Sequence, residues 1–102
     1  MSQKVIQMAL PLKIFRVKDH SMEPTINEGD YVVVSRIHAA LRIGDIVVLT
    51  HPTNGQCIIK RVKGIDSGLV FVVGDNQKVS EDSRAFGSIK TGKIFGKVIY
   101  KV

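Results

Sequence analysis

Short apolar runs alternate with turn-forming residues along the entire chain. Within the runs, valine and isoleucine recur at alternate positions or form unbroken segments, a pattern typical of β-strands. Glycine, proline, asparagine and aspartate cluster between the runs and predict turns. Only residues 37–42 are compatible with a turn of helix. The pattern predicts six strands, at residues 13–17, 31–35, 45–50, 56–63, 69–74 and 93–101.

Strands spaced by about ten residues and joined by glycine turns predict an all-β fold, either a small β-sandwich or a partly closed barrel. The 102 residues suffice for one core and not for two, so we expect a single domain over residues 1–102. Apolar residues make up 44% of the chain, which is too many for a disordered segment.

The chain carries a net charge of +6, from 15 lysines and arginines against 9 aspartates and glutamates. These cations are scattered, and no helix-turn-helix or RNP pattern accompanies them. A solvated basic face is therefore the preferred interpretation. No nucleic-acid partner is expected, although nucleic acid stays the runner-up.

Cysteine and histidine form no metal or redox motif in the sequence. Cys57 is the only cysteine, which excludes a disulfide or a Cys-x-x-Cys pair, and its strand position predicts a small buried side chain. The three histidines, His20, His38 and His51, match no zinc spacing. We therefore predict neither a metal nor an organic cofactor.

No apolar stretch approaches the roughly 20 residues that a membrane span requires. Residues 1–13 lack the apolar segment and cleavage site of a signal peptide. A cytoplasmic protein without a membrane anchor is expected, with peripheral membrane association left open.

Ser21 begins the segment Ser21-Met22-Glu23-Pro24-Thr25, between a predicted strand and a glycine turn. Pro24 fixes its own φ and disfavours helix at Glu23, so the segment is expected to be stiff and extended. A serine on rigid backbone is a candidate nucleophile, because attack requires a fixed geometry. Most segments of this kind are ordinary loops, so this segment alone does not identify Ser21 as a nucleophile.

Lys60 is a candidate for the base that such a serine needs. A lysine can accept a proton near neutral pH only if desolvation lowers its pKa. Alternation places Lys60 on the same strand face as Ile58 and Val62, with Ile59 and Arg61 on the other. If that face is buried, the neutral amine is favoured; the alternative is an exposed strand lysine.

A third segment, residues 74–87, predicts a long loop that is rich in Asp/Arg pairs. Long loops in small domains are commonly functional. Taken together and in this order, the three segments resemble the type I signal peptidases and their relatives, a family of Ser/Lys serine proteases that remove N-terminal leaders. The resemblance rests on Ser21-Met22-Glu23-Pro24-Thr25, Gly29-Asp30, Gly44-Asp45, Lys60-Arg61-Val62, Gly64, Gly74-Asp75-Asn76 and Ser80-x-Asp82-Ser83-Arg84 through Gly87.

By this resemblance, the chain is a serine endopeptidase that acts on a precursor protein. The implied catalytic pair is Ser21, the nucleophile, and Lys60, the general base. The backbone N–H of Ser21 would also donate to the oxyanion. The resemblance implies further that Ser80 orients the amine, that Asp82 and Arg84 brace the loop behind the site, and that Met22 lines the substrate cleft.

The sequence departs from the family pattern two residues before the nucleophile. Asp19 stands where family members often carry glycine or serine, and a carboxylate there would repel an oxyanion. Either Asp19 points away from the site, or the second oxyanion donor comes from elsewhere. Because the sequence shows no counterpart of the membrane anchors or the large inserted β-domain of the housekeeping enzymes, we expect a minimal catalytic core.

Within the family, the chain looks most like the short proteases that trim the leader of nickel superoxide dismutase. Thr50-His51-Pro52 and Asp82-Ser83-Arg84-x-Phe86-Gly87 support this hypothesis. A signal peptidase for secretory precursors is the alternative within the family. Three other readings stay open: an SOS-type autocleaving Ser/Lys peptidase, a peptidase with His20 as base, and an inactive module that binds extended peptides.

Overall fold

A computed structural model describes residues 11–37, 40–79 and 81–102. The strands in this part of the chain are β1 (Leu12–Arg16), β2 (Tyr31–Ser35), β3 (Ile46–Thr50), β4 (Cys57–Asp66), β5 (Leu69–Val73), β6 (Ile89–Lys90) and β7 (Ile94–Lys101). A short helix α1 (Ser83–Phe86) precedes β6, and a 3₁₀ turn (Thr91–Lys93) precedes β7.

The described strands form one antiparallel sheet of seven, in the order β1-β2-β7-β3-β4-β5-β6. The predicted all-β class is therefore confirmed, and the sheet has the form of a half-barrel. The six predicted strands match β1 to β5 and β7 with small differences at their ends. Strand β6 and helix α1 were not predicted. The expected helical turn is absent at residues 37 and 40–42, and the rest of it lies outside the described residues.

Two apolar cores lie on opposite faces of the central strands. Val48 of β3 belongs to one core, whereas its neighbours Val47 and Leu49 belong to the other. The same division occurs in β4, where Ile59 joins the first core and Val62 the second. Because both faces are covered, β3 is an unbroken apolar run rather than an alternating one. Ile59 and Lys60, which project from opposite faces of β4, are therefore both shielded from water.

The two Gly-Asp pairs build matching turns before β2 and β3. Gly29 and Gly44 have φ of +90° and +100°, in the left-handed region that favours glycine. The following aspartates accept a hydrogen bond from a backbone N–H three residues earlier: Asp30 from Asn27 at 2.8 Å, and Asp45 from Arg42 at 2.7 Å. These turns fix where β2 and β3 begin.

β2 and β7 approach each other closely at Gly96, which also lies next to the register shift between β7 and β3. A Cβ atom on residue 96 would lie 2.5 Å from the carbonyl oxygen of Ser35 and 2.6 Å from Cγ1 of Val34. No side chain fits at this distance, so the sheet requires glycine here.

Among the described residues, no helix is both long and apolar enough to cross a bilayer.

Candidate active site

Ser21 lies in a series of tight turns between β1 and β2. The N–H of Glu23 donates to the carbonyl of His20 at 3.2 Å, and the N–H of Ile26 donates to the carbonyl of Met22 at 2.9 Å. The expectation of an extended segment is therefore wrong: local hydrogen bonds fold the backbone around Pro24, whose preceding peptide bond is cis. The turns hold the serine on a fixed backbone all the same.

The Ser21 side chain is buried, with 3% of the residue exposed. Its hydroxyl lies 3.1 Å from Oδ1 of Asp19 and 3.4 Å from the carbonyl oxygen of Ile59, and it donates toward both. The backbone N–H of Ser21 also donates to Oδ1 of Asp19, at 3.2 Å. Asp19 thus points toward the serine, which leaves the other of the two alternatives, a second oxyanion donor from elsewhere.

Lys60 is buried on the sheet, with 2% of the residue exposed. It pairs directly with Val47 of the second core, so its side chain projects on that face together with Ile58 and Val62. Burial lowers the pKa of the Lys60 amine below its ordinary value of 10.5, because desolvation penalises the charged form. The negative charges of Asp19, Asp82 and Glu81 act in the opposite direction, and Arg84 adds to the lowering.

The structure brings the neighbourhoods of Ser21 and Lys60 together. The carbonyl that the Ser21 hydroxyl contacts belongs to Ile59, and that peptide unit leads directly into Lys60. The Asp19 carboxylate both contacts Ser21 and acts electrostatically on the amine of Lys60. A buried hydroxyl and a buried amine with a lowered pKa therefore share one polar neighbourhood between the two cores.

Asp75 joins three segments that the sequence analysis treated as separate motifs. Its carboxylate makes a two-pronged ion pair with Arg61, at 2.8 Å and 2.7 Å, and accepts the Thr25 hydroxyl at 2.6 Å. Arg61 in turn donates to the carbonyl of Gly44 at 2.8 Å. The hydrogen bonds of Arg61 hold the pKa of Asp75 below its usual range, and those of Asp75 raise the pKa of Arg61. One carboxylate thus positions the serine turn against the lysine strand.

Asn76 completes this connection. Its N–H donates to the carbonyl of Ser21 at 2.8 Å, and its side-chain amide donates to the carbonyl of His20 at 3.1 Å. Sequence reasoning did not name Asp75, Asn76, Thr25 or Arg61 as site residues, although all four stand in the motifs that carried the resemblance. Only the joint occurrence of these motifs in one chain could have pointed to the four residues. A bidentate Asp–Arg pair between a loop and a distant strand has no local sequence pattern.

Asp75→Asn is expected to destabilise the fold by about 1.5–3 kcal/mol at neutral pH, because it weakens hydrogen bonds to a charged group. The pKa of Asp75 is lowered on folding, so its contribution is present above its ordinary value of 3.8 and is lost as pH falls below that value. Urea unfolding from pH 7 to pH 2.5 should show the difference between wild type and variant shrinking with acid. Asp66→Asn, at the exposed end of β4, is the matched control. Equal unfolding free energies at pH 7 would contradict the role of Asp75.

The predicted supporting residues Asp82 and Arg84 form an ion pair at the start of α1. Asp82 is 1% exposed and also accepts the backbone N–H of Gly74 at 3.0 Å, which closes the loop on itself. Ser83 accepts the N–H of Val72 in β5 at 2.9 Å and docks the helix onto the sheet. Ser80 lies outside the described residues, so its orienting role stays a prediction.

Two histidines occupy different surroundings. His51 is buried at the end of β3, where Nδ1 accepts the N–H of Thr53 at 3.2 Å and Nε2 contacts Glu81. This contact ties the strand end to the loop that carries Asp82. The ring of His20 is half exposed and bonds to Glu23, whose hydrogen bond raises the pKa of that imidazole. The His20 ring thus engages an acid at the surface, as expected for a histidine poorly placed to serve Ser21.

An open groove of about 580 Å³ runs beside the serine turn. One wall is formed by residues 15–19 and the other by residues 56–59, with Val32 and Val48 between them. Within the described sheet, residues 57–60 of β4 pair with β3, and pairing with β5 begins at Arg61. The first half of β4 therefore has an unpaired backbone edge facing the groove.

Met22 and Cys57 differ in their relation to this groove. Met22, the predicted cleft residue, is fully buried in the first core together with groove residues such as Val17 and Ile59. Cys57 is exposed and lines the groove, so the expectation of a buried cysteine is wrong. The reason is that β4 has no neighbour on this side at its start. Partial desolvation still raises the pKa of the Cys57 thiol.

Comparison with known proteins identifies the family. A family model described as Peptidase S24-like matches residues 1–99. The chain belongs to the Peptidase S24-like family. Among the described residues, no group of three or more His, Cys, Asp or Glu side chains could hold a metal ion.

The S24-like chain is similar to mitochondrial proteases and to a bacterial signal peptidase. It is 33% identical to mitochondrial inner membrane protease subunit 1 of Homo sapiens, over 80% of this chain and 64% of that protein. It is 31% identical to subunit 2 of that protease from Schizosaccharomyces pombe, over 81% of this chain and 60% of the relative. It is 51% identical to signal peptidase IB of Staphylococcus aureus, over 85% of this chain and 75% of the relative. The chain thus spans less than two thirds of the length of the human subunit 1 and of the Schizosaccharomyces pombe subunit 2.

Proposed function

We propose that this S24-like chain is a serine endopeptidase that removes an N-terminal leader or signal peptide from a precursor protein, with Ser21 as nucleophile and Lys60 as general base. The observation that carries the proposal is the burial of Lys60, at 2% exposure and with a lowered pKa, next to a peptide unit that the Ser21 hydroxyl contacts. A neutral amine in that place can take a proton from the hydroxyl.

The reaction has two acyl-transfer steps. The Ser21 oxygen attacks the scissile carbonyl while its proton passes to the Lys60 amine, and the N–H of Ser21 donates to the resulting oxyanion. The intermediate collapses when the Lys60 ammonium gives that proton to the leaving amine, which departs and leaves an ester on Ser21. Water then attacks the ester with Lys60 again as base, and the acid product leaves with the Ser21 hydroxyl restored.

The groove supports an extended peptide as substrate. A chain lying between residues 15–19 and the open edge of β4 would add one strand to the sheet. Main-chain hydrogen bonds would hold it, and the apolar floor at Val32 and Val48 favours small apolar side chains of a leader. A peptide in this groove would lie beside Asp19 and Ile59, the two residues whose oxygen atoms the Ser21 hydroxyl contacts.

The names of the relatives support precursor proteins as the substrate class, and the short sequence motifs around His51 and Phe86 favour the nickel superoxide dismutase precursor within that class. A dismutase leader would be cut in the cytoplasm, whereas a secretory leader would be cut at a membrane face. The substrate therefore also determines where the chain acts.

Incubation of the purified chain with each precursor, followed by mass spectrometry of the new N-terminus, tests the proposal. We expect cleavage of the dismutase precursor at one bond by wild type and none by Ser21→Ala. Cleavage of the secretory precursor alone would overturn the dismutase assignment. Cleavage of neither precursor, or equal cleavage by Ser21→Ala, would overturn the proposed function.

A further inference from the structure

Asp19 makes an unusual pair of contacts with the nucleophile. One carboxylate oxygen, Oδ1, accepts both the backbone N–H of Ser21 at 3.2 Å and the Ser21 hydroxyl at 3.1 Å. The carbonyl of Ile59, at 3.4 Å, is the other acceptor of that hydroxyl. Both donors of the serine are therefore directed at a single negatively charged atom in the resting protein.

Attack on a peptide bond requires the same two donors for other purposes. The hydroxyl must give its proton to the base, and the N–H must point at the carbonyl oxygen that becomes negative. A carboxylate on that N–H occupies the place of the oxyanion and repels a second negative charge at close range. The resting arrangement therefore does not accommodate a tetrahedral intermediate.

The groove beside Asp19 leaves room for its carboxylate to move away from Ser21. Asp19 is partly exposed and lines the open groove of about 580 Å³, in which Arg16 and Lys18 lie on the same wall. A substrate strand entering the groove competes for the Ser21 N–H with its own carbonyl. Two cationic side chains close by in sequence can then receive the displaced carboxylate.

We propose that Asp19 is an autoinhibitory latch: its carboxylate holds the oxyanion position on the Ser21 N–H until a bound substrate displaces it. This inference rests on the proposed function, since it assigns the same nucleophile. It also makes Asp19 a positioning residue for the base, because its charge favours the protonated form of Lys60 in the resting state. The other charged groups that act on Lys60 are Asp82 and Glu81 before α1, and Arg84 within it.

Two substitutions at Asp19 test the latch. Asp19→Asn removes the charge and keeps the shape, and Asp19→Ala removes the acceptor altogether. Because an incoming substrate no longer has to displace the carboxylate, kcat/KM at pH 7 is expected to rise about tenfold to a hundredfold in either variant. Because the negative charge raises the pKa of Lys60, its removal should also move the acid limb of the pH–rate profile to lower pH. Asp66→Asn, an exposed carboxylate on β4, should leave rate and profile unchanged.

Binding of a peptide boronate ending in alanine separates the latch from turnover. The boronate forms a negatively charged tetrahedral adduct with the Ser21 oxygen, so both Asp19 variants should bind it at least tenfold more tightly than wild type. Tighter binding without cleavage of any leader would support the latch and overturn the proposed function. Variants that bind the boronate no better, or cleave more slowly with an unmoved acid limb, would overturn the latch while wild-type cleavage still supported the function.

Discussion

Lys60→Met is expected to lower kcat for leader cleavage by about a hundredfold to ten-thousandfold, the usual contribution of a general base. Methionine fills a similar volume and is compatible with the apolar face of Val47 and Val62, so the fold should persist. In wild type, cleavage should accelerate from neutral toward alkaline pH as the amine loses its proton. Rates of cleavage of a fluorogenic leader peptide between pH 5 and pH 10 measure both effects.

Lys60→Arg serves as the matched variant, since arginine keeps the positive charge and cannot act as a base. It should be as inactive as Lys60→Met. Stability gives an independent check: the pKa of Lys60 is lowered on folding, so wild type should gain unfolding free energy relative to Lys60→Met as pH rises toward 10.5. An arginine variant with near-normal kcat, or a wild-type rate that is flat from pH 5 upward, would rule out Lys60 as the base.

Gly96→Ala is expected to destabilise the fold by about 3 kcal/mol, because the new methyl group would overlap the Ser35 carbonyl and the Val34 side chain. That is a large part of the stability of about 5–15 kcal/mol that a domain of this size has. The melting temperature should fall by roughly 12–24 °C. Thermal unfolding followed by circular dichroism measures the change.

Gly64→Ala is the control for this substitution. It also adds a methyl group to a strand glycine, here a half-buried one, but the nearest atom of another segment to that methyl is Cβ of Phe71, at an ordinary 3.8 Å. We expect its melting temperature to stay within a few degrees of wild type, which corresponds to a change of less than about 1 kcal/mol in the free energy of unfolding. Equal melting temperatures for Gly96→Ala and wild type would show that β2 and β7 separate without penalty.

The strands were predictable because their signal is local. Apolar periodicity and the Gly-Asp turns located β2 and β3 almost to the residue, and the turns depend on nothing beyond three neighbouring positions. Strand β6 escaped prediction because its two residues carry no period of their own and pair only through Val70 and Leu69 of β5. Helix α1 escaped because one turn is held by its cap, Asp82, and by docking through Ser83.

The candidate site was predictable to a smaller degree. Alternation correctly grouped Lys60 with Ile58 and Val62, but only the sheet shows that a second core covers this face. The folded turns around Pro24 were missed because their hydrogen bonds compete with the extended preference of a residue before proline. The direction of the Asp19 side chain is set by backbone turns as well, and nothing local in the sequence indicates it.

The lone thiol on the groove wall has a practical consequence for any inhibitor test of the proposed peptidase activity. A maleimide or iodoacetamide adduct on Cys57 would obstruct the groove to a leader peptide, although the proposed mechanism gives the sulfur no part in breaking the bond. Loss of cleavage after alkylation would then mimic a cysteine peptidase. The proposed mechanism is therefore to be tested with the Ser21 and Lys60 variants, not with sulfur-directed reagents.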